Sequence, residues 1–487
     1  MHPRLPILGQ PGSKRLAPSE LPGRPPEVIR FERGAHSLLL ATQNLAVIRG
    51  ETELLRTAER ALGAGPDEDV LDDVLDVVDA IRAPAPRADF LGSEPLVTQL
   101  NIGNTTRCNM GCSYCYQELP GREAQGKARA LDMDLETGRA MVRAVLDQGA
   151  PGSQVVLVLI GGESLLQREL LVELLDWARA QGDARDVDVG CVLYTNGALM
   201  DQEVIDWADD RSVSLIVSLD GPPVMQDEHR VFLSGKGSSK VVLRNVRRLV
   251  ETSKQPLRRV RSVATKATQL LPLHKYLYDL GFNELYVQAA YSEDGYDDQT
   301  DAREIEALAS WYRELLLDGT VIGIHPFTAI LERLKKRGAA VTSSHPCNAG
   351  IGALGVDANG DLYPCHHFYG ETRYRLGNVR DGLPELDARR HIFAPVTSRE
   401  PCASCWNQRL CGGECYHRAM VMDRGYFGTV TESCAQKKAF SVAALDLFTD
   451  VRERRPEVIR RLMQKDYSLP VPKPGVFEIQ DLSPYLG

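Results

Sequence analysis

Between Leu96 and about Leu317 the chain alternates short apolar runs with helical patterns, and this alternation restricts the fold more than any other feature. The runs are VTQLNI, QVVLVLI, VDVGCVLYTN, VSLIVSLD, RRVRSVATK and ELYVQAAY, mostly separated by segments such as LETGRAMVRAVLDQ and LLVELLDWARAQ with apolar residues at helical spacing. Parallel neighbours need crossover connections and those crossovers are right-handed, so six strands with intervening helices imply an α/β parallel sheet curled into a partial barrel. Ligands of such sheets sit at the C-terminal ends of the strands. Immediately after the first run stands RCNMGCSYCYQ, which places Cys108, Cys112 and Cys115 within eight positions.

The flanks read differently. The first 27 residues carry Pro and Gly throughout and no continuous apolar run, which predicts a flexible arm rather than a signal peptide or membrane span. SLLLATQNLAVIRG (37–50) predicts two strands around a turn, followed by helices over Glu51–Leu62 and Asp67–Arg82. The second helix is acidic on its outer face, which reads as a solvated face or as a docking surface for a basic partner. APAPRADF (83–90) reads as a linker that sets a boundary near residue 90. Seven of the 11 cysteines fall between Cys347 and Cys434, among many Gly and Pro, and loops held together by metal are the natural reading. FSVAALDLFTDVRERRPEVIRRLMQ then predicts a helix that packs back onto the body. A net charge of -9 gives no basic footprint for nucleic acid or a membrane surface. Without an export signal the expected compartment is a reducing cytoplasm, where clustered cysteines bind metal or do chemistry rather than form disulfides.

Three thiolates in a CxxxCxxC loop can converge on one small object. Zinc wants a fourth ligand, and none is near in sequence. A 4Fe-4S cubane held by three thiolates keeps one iron open for an outside ligand. CNMGCSYC resembles the cluster motif of radical S-adenosylmethionine (radical SAM) enzymes, including the aromatic Tyr114 before the third cysteine. The resemblance implies that the open iron chelates the amino and carboxylate groups of S-adenosylmethionine and that cleavage of the sulfonium gives a 5'-deoxyadenosyl radical. It also implies cofactor contacts at three further strand ends. LIGGESLL carries Gly161, Gly162 and Glu163, similar to the segment that binds the methionine amino group; LYTNGALM carries Asn196 and Gly197; SLDGPPVMQDEHR carries Ser218 and Asp220, which would face the cofactor. Each is also an ordinary turn on its own merits. Ser164 stands where many relatives have Pro. Asp220 and Asp227 are possible general bases, or could equally bind the ribose or cap a helix.

The later block, C-x2-C-x5-C-x3-C from Cys402 to Cys415, resembles the SPASM domain, an extension with auxiliary iron-sulfur clusters in radical enzymes that modify peptides and proteins. The resemblance implies an outer cluster on Cys402, Cys405, Cys411 and Cys434 and an inner one on Cys347, Cys365 and Cys415. Two closed cubanes need eight thiolates and this block has seven, because CNAGIGALGV lacks a further cysteine. The inner cluster is therefore expected to have an open iron, a non-cysteine ligand or another cluster type, with His366 and His367 as candidate substitutes. A zinc ribbon is the plain alternative for the block. Cys191, in an apolar strand, reads as a small core residue.

On these resemblances the chain divides into an arm (1–27), a peptide-recognition-like α+β module (28–90), a radical SAM partial (β/α)6 barrel (91–325), a loop-rich SPASM domain (326–440) and a C-terminal helix and tail (441–487). The SPASM stretches look most like the maturases of quinohemoprotein amine dehydrogenase, which form thioether bonds from Cys sulfur to methylene carbons of Asp and Glu. This implies a peptide or small protein substrate, three iron-sulfur clusters, and an external electron donor such as flavodoxin or ferredoxin. Sulfatase maturases and maturases of other ribosomal peptides are the neighbouring readings; an iron-sulfur electron carrier without radical chemistry is the reading of another class.

Overall fold

The computed structural model describes residues 27–64, 97–116, 131–265, 268–290, 301–335, 344–385, 395–422 and 428–477. The arm, the acidic helix over Asp67–Arg82 and the linker at 83–90 lie outside these. The chain forms two compact units, each assembled from separate stretches of sequence.

The first unit contains residues 1–90, 329–347 and 391–453. Its N-terminal part is a three-stranded antiparallel sheet in the order β1 (Val28–Arg33), β2 (His36–Ala41), β3 (Val47–Gly50), followed by α1 (Thr52–Ala64). The two strands read from SLLLATQNLAVIRG are β2 and β3; β1 is an additional one. Alternation along β2 sends Leu39 and Ala41 to one face, where they pack with Leu55 and Ala58 of α1, while Leu38 and Leu40 are fully buried on the other.

The second unit contains residues 91–328, 348–390 and 454–487 and is built on a ten-stranded sheet. Its centre is the parallel run β4 (Gln99–Ile102), β5 (Ser153–Leu159), β6 (Val187–Thr195), β7 (Val213–Ser218), β8 (Arg259–Ala264) and β9 (Glu284–Ala289), each strand paired with the next. The crossovers hold α2 (Leu135–Leu146), α3 (Arg168–Asp183), α4 (Gln202–Asp210), α5 (Pro223–His229), α6 (Ser239–Thr252) and α7 (Leu270–Asp279); α8 (Ala302–Leu317) follows β9. These are the six predicted strands of the partial barrel. β10 (Gly323–His325) extends one end of the sheet. At the other end β11 (Ala353–Val356) pairs parallel with β4 and carries the antiparallel β12 (Asp361–Tyr363) and β13 (Gly377–Asn378), so part of the cysteine-rich region continues the barrel sheet. Along β6 the odd residues from Val187 to Thr195 are buried, and Cys191 is among them, 4% exposed; burial pushes its thiol up to about 12. It is a core residue, as expected.

Of the remaining helices, α9 (Phe327–Lys335) follows β10, while α10 (Gln408–Cys411), α11 (Tyr416–Val421), α12 (Cys434–Arg454) and α13 (Pro456–Gln464) lie in the C-terminal part. In the first unit α12 meets the N-terminal sheet through His36 Nε2 to Asp446 Oδ1 at 2.8 Å and Arg49 to Glu453 at 3.0 Å. Asp446 is buried, so the Arg33 guanidinium at 3.5 Å and the hydrogen bond to His36 offset a desolvation that would otherwise oppose folding. Among the described residues no helix is long and apolar enough to cross a membrane.

Candidate active site

The second unit encloses a cavity of about 570 Å³ at the C-terminal ends of β4 to β9. Cys108, Cys112 and Cys115 line it, and so do Tyr114, Gly161, Gly162, Glu163, Asn196 and Ser218. The cluster and cofactor residues assigned from sequence around the first cysteine loop thus meet in one space, although they come from separate strand ends.

Backbone bonds on two sides fix the cysteine loop. On one side Gly162 N–H donates to Thr105 O at 2.9 Å and Glu163 N–H to Arg107 O at 2.8 Å. The approach is so close that a Cβ on Gly161 would stand 2.8 Å from Thr105 O, and one on Gly162 only 2.0 Å from Arg107 O. This is the local reason for two consecutive glycines. On the other side Gly111 N–H donates to Val231 O at 2.9 Å, Ser113 N–H to His229 O at 3.1 Å, and Leu233 N–H to Asn109 O at 3.2 Å.

Glu163 joins the next strand end to this arrangement. Its carboxylate accepts from Asn196 N–H at 2.8 Å, Thr195 Oγ1 at 2.9 Å and Leu165 N–H at 3.3 Å. Burial nevertheless pushes the carboxyl up to about 7, against the hydrogen bonds from Asn196, Thr195 and Leu165. Ser164, buried, opens the 3-10 turn Ser164–Gln167 that Glu163 caps. Proline suits the first position of a helical turn, so serine there leaves the turn intact. Asn196 Nδ2 donates to Asn109 Oδ1 at 2.7 Å and lies 3.8 Å from Cys108 Sγ.

The two aspartates that sequence could not separate have different positions. Asp227 accepts from Ser239 N–H at 2.7 Å and Ser239 Oγ at 2.6 Å at the start of α6, so it anchors a helix. Asp220, 2% exposed, does not line the cavity; it lies behind the cysteine loop. There it accepts from Val263 N–H at 3.0 Å and from Tyr114 Oη, and stands 3.0 Å from the Arg230 guanidinium. That guanidinium also covers the Tyr114 ring at 5.4 Å. Burial works against the charge on Arg230, but Asp220, with help from Tyr114 and Cys112, more than offsets it and raises the pKa. Arg230, Arg261 of β8 and Gln288 of β9 line the cavity without having been singled out in the sequence. Only the pairing of Ser218 with Arg261, and of Arg261 with Tyr286 on β9, places that arginine level with the cavity-lining Ser218.

These residues fit a thiolate-bound cluster. Burial pushes the Cys108 thiol up to about 11 and also raises that of Cys112, so both would need a positive partner to ionise. Met110 N–H points at Cys108 Sγ from 3.4 Å, and Arg230 favours the Cys112 thiolate. Among the described residues no three His, Cys, Asp or Glu side chains are gathered tightly enough to hold a single metal ion. Thiols around a cubane bind different irons and do not have to meet at one point.

The sequence profile of the radical SAM superfamily matches residues 104–258, and that of the iron-sulfur cluster-binding SPASM domain matches residues 347–406. The chain carries a radical SAM domain followed by an SPASM domain. It is 24% identical over 326 residues to a cysteine-type anaerobic sulfatase-maturating enzyme of Clostridium perfringens, covering 63% of this chain and 85% of the relative. A serine-type anaerobic sulfatase-maturating enzyme of Bacteroides thetaiotaomicron is 24% identical over 340 residues, covering 63% and 80%. A solved structure described as native anSMEcpe with bound AdoMet superposes with a TM-score of 0.60 at 21% identity, over 73% of this chain and 99% of the other, which shows a shared fold.

The other cysteines of this radical SAM enzyme divide between the units. In the first unit Cys402, Cys405, Cys411 and Cys434 lie within electrostatic reach of one another. Burial raises the Cys434 thiol to about 11, while Lys437, one helical turn further along α12, favours its thiolate. Cys347 and Cys415 both lie near Tyr416 in that unit. Cys365 belongs to the second unit, where Gly355 admits its backbone: a Cβ there would stand 2.6 Å from the Cys365 carbonyl carbon. His366 and His367, the candidate substitutes, line the cavity with their rings against Tyr116, at 5.6 and 4.4 Å between centroids.

Proposed function

We propose that this radical SAM enzyme is a peptide maturase that installs thioether cross-links, from Cys sulfur to the methylene carbon of Asp or Glu, in the small subunit of quinohemoprotein amine dehydrogenase. The observation that carries the peptide reading is the N-terminal antiparallel sheet, whose edge strands β1 and β3 offer an extended leader main-chain hydrogen bonds by strand addition. The thioether reading draws on the CNAGIGALGV stretch, where the added inner-cluster cysteine expected of a sulfatase maturase is missing. The sulfatase-maturating relatives favour a second reading, modification of a sulfatase-derived peptide.

Cys108, Cys112 and Cys115 would hold the radical-generating cluster, and Cys402, Cys405, Cys411 and Cys434 an outer auxiliary one. When bound, the first cluster with S-adenosylmethionine supplies a one-electron cleavage that yields a carbon radical able to remove hydrogen from an unactivated carbon. The chain's own residues position this chemistry. Gly161 and Gly162 let their strand end close onto the cysteine loop and line the cavity where the methionine end of the cofactor would lie, Asn196 and Ser218 line it beside them, and Glu163 locks two strand ends together.

Co-expression with the candidate small subunit and with a sulfatase-derived peptide, followed by mass spectrometry, tests the proposal. A loss of two hydrogens per cross-link in the small subunit, with the cysteines no longer alkylated, is the expected result. Modification of the sulfatase peptide alone would refute the thioether reading, and no reduction-dependent 5'-deoxyadenosine would refute the enzyme reading.

A further inference from the structure

Side chains alternate along β8: Val260, Ser262 and Ala264 are buried on one face, while Arg261 and Val263 of the other line the cavity. Strand register sets what surrounds Arg261. It pairs with Ser218 on β7 and with Tyr286 on β9, and Gln288, two residues further along β9, shares the face of Tyr286. The guanidinium donates to Gln288 Oε1 and lies 4.9 Å from the centre of the Tyr286 ring and 5.7 Å from that of Tyr194 on β6. Tyr286 in turn stacks on His325 of β10, with ring centres 4.0 Å apart. Side chains of β6, β9 and β10 thus hold this arginine in the cavity wall. Among the described residues, the other cavity-lining guanidinia hold carboxylates of the chain: Arg230 stands 3.0 Å from Asp220 beside the cysteine loop, Arg375 donates to Asp361 at 2.7 Å, and Arg107 to Asp132 at 3.0 Å.

We propose that Arg261 receives the side-chain carboxylate of the substrate's Asp or Glu acceptor, and that this contact makes the site selective for an acidic residue. The inference rests on the thioether reading above and names the group that would recognise the acceptor. A guanidinium is a planar fork that meets a carboxylate with parallel N–H···O bonds, fixing its orientation as well as its position. Gln288 sets the rotation of that fork by accepting from it, and the Tyr286 and Tyr194 rings favour the cation at this place. Asp and Glu end in the same group, so one arginine serves both. A side chain anchored at its carboxylate then presents its methylene carbon to the cavity within limits set by its own covalent bonds. An amide of the same shape turns an N–H toward the guanidinium and leaves donor facing donor, which is the basis for rejecting Asn and Gln. The cysteine or serine of a sulfatase-derived peptide carries no such group, so the role of Arg261 separates the two readings of the function.

The test is a double-substitution cycle on the reconstituted full-length enzyme, read as cross-link formed per 5'-deoxyadenosine released. In wild type, replacing an acceptor Asp of the small subunit by Asn should lower that ratio by about 10- to 100-fold. Arg261→Gln should lower it by a similar factor for the Asp acceptor, and Asn should then cost no more than about threefold further. Arg261→Lys, which restores the charge without the fork, should recover part of the loss. An Asn acceptor that costs the same factor in both enzymes overturns the inference. So does an Arg261→Gln ratio equal to that of wild type, which would mark a role in cofactor handling alone. A second measurement needs no turnover: phenylglyoxal labelling of the wild-type enzyme, mapped by mass spectrometry. Succinate should slow labelling of Arg261 by about threefold or more and neutral succinamide should not; equal labelling with both overturns the inference, and this arm decides if Arg261→Gln does not retain iron. Wild-type protein that cross-links no Asp or Glu acceptor while succinate still shields Arg261 would instead overturn the thioether reading and leave the carboxylate site standing.

Discussion

Substituting Gly162 by alanine should detach the cysteine loop from the barrel. The added Cβ would stand 2.0 Å from Arg107 O and 2.6 Å from Arg107 C, both backbone atoms that no rotamer change can move. Ordinary contact needs about 3.5 Å, so the loop must withdraw by about 1.5 Å. That movement breaks Gly162 N–H to Thr105 O and Glu163 N–H to Arg107 O, now 2.9 and 2.8 Å. Two lost bonds at about 1 kcal/mol each, with overpacking of about 1–3 kcal/mol, give a destabilisation of about 3–5 kcal/mol. The effect on function is larger in proportion, because a misplacement of about 1 Å at a reacting centre can reduce rate about 100-fold. Uncoupled 5'-deoxyadenosine formation under reducing conditions, with an iron count on the same sample, is the assay. Gly190→Ala is the control, since its Cβ would meet nothing nearer than Val156 Cγ2 at 3.6 Å. Cleavage by Gly162→Ala within twofold of wild type, at full iron content, would refute the close-approach account of the two glycines.

Alanine at any one of Cys108, Cys112 or Cys115 should remove about four irons and abolish 5'-deoxyadenosine formation, whereas Cys402→Ala should lower iron content and leave uncoupled cleavage measurable; iron assay and chromatography distinguish the two. Cys191→Ala should leave both iron content and cleavage unchanged, with a stability loss on the order of 1 kcal/mol seen in thermal unfolding, because the residue is core packing. Glu163, at about 7 when folded against an ordinary 4.5, keeps a proton that the unfolded chain has already released between those values. The metal-free protein should therefore lose stability as pH rises from about 4.5 to 7, by about 3 kcal/mol in all from this group, and be unaffected by it below that window. Urea unfolding of wild type and Glu163→Gln across pH 5–8 checks this, and parallel curves would contradict it.

The barrel was legible because its signals are local. Five of the six runs from VTQLNI to ELYVQAAY contain their strands and QVVLVLI misses only Ser153 of its own, and Asp134 caps the helix read from LETGRAMVRAVLDQ by accepting from Thr137 N–H at 2.7 Å. β1 and β11 were not read, because a short run such as VIRFER or ALGV becomes a strand through a partner: β1 through β2, and β11 through β4, some 250 residues earlier in the chain. Asp220 and Asp227 show the same limit within the site. They are seven residues apart in one motif, and what separates them is contact with Tyr114 and Arg230 in one case and Ser239 in the other.

The sequence by itself determined the kind of chemistry, since ligand type, ligand number and the spacing C-x3-C-x2-C are covalent facts that survive unfolding. It also determined the parallel sheet, since hydrophobic period and crossover length are written residue by residue. Only the tertiary structure decided which charges face the cysteines. Electrostatic influence falls with distance through space and grows as water is excluded, and neither the approach of Arg230 to Cys112 nor the burial of Asp220 can be counted along the chain.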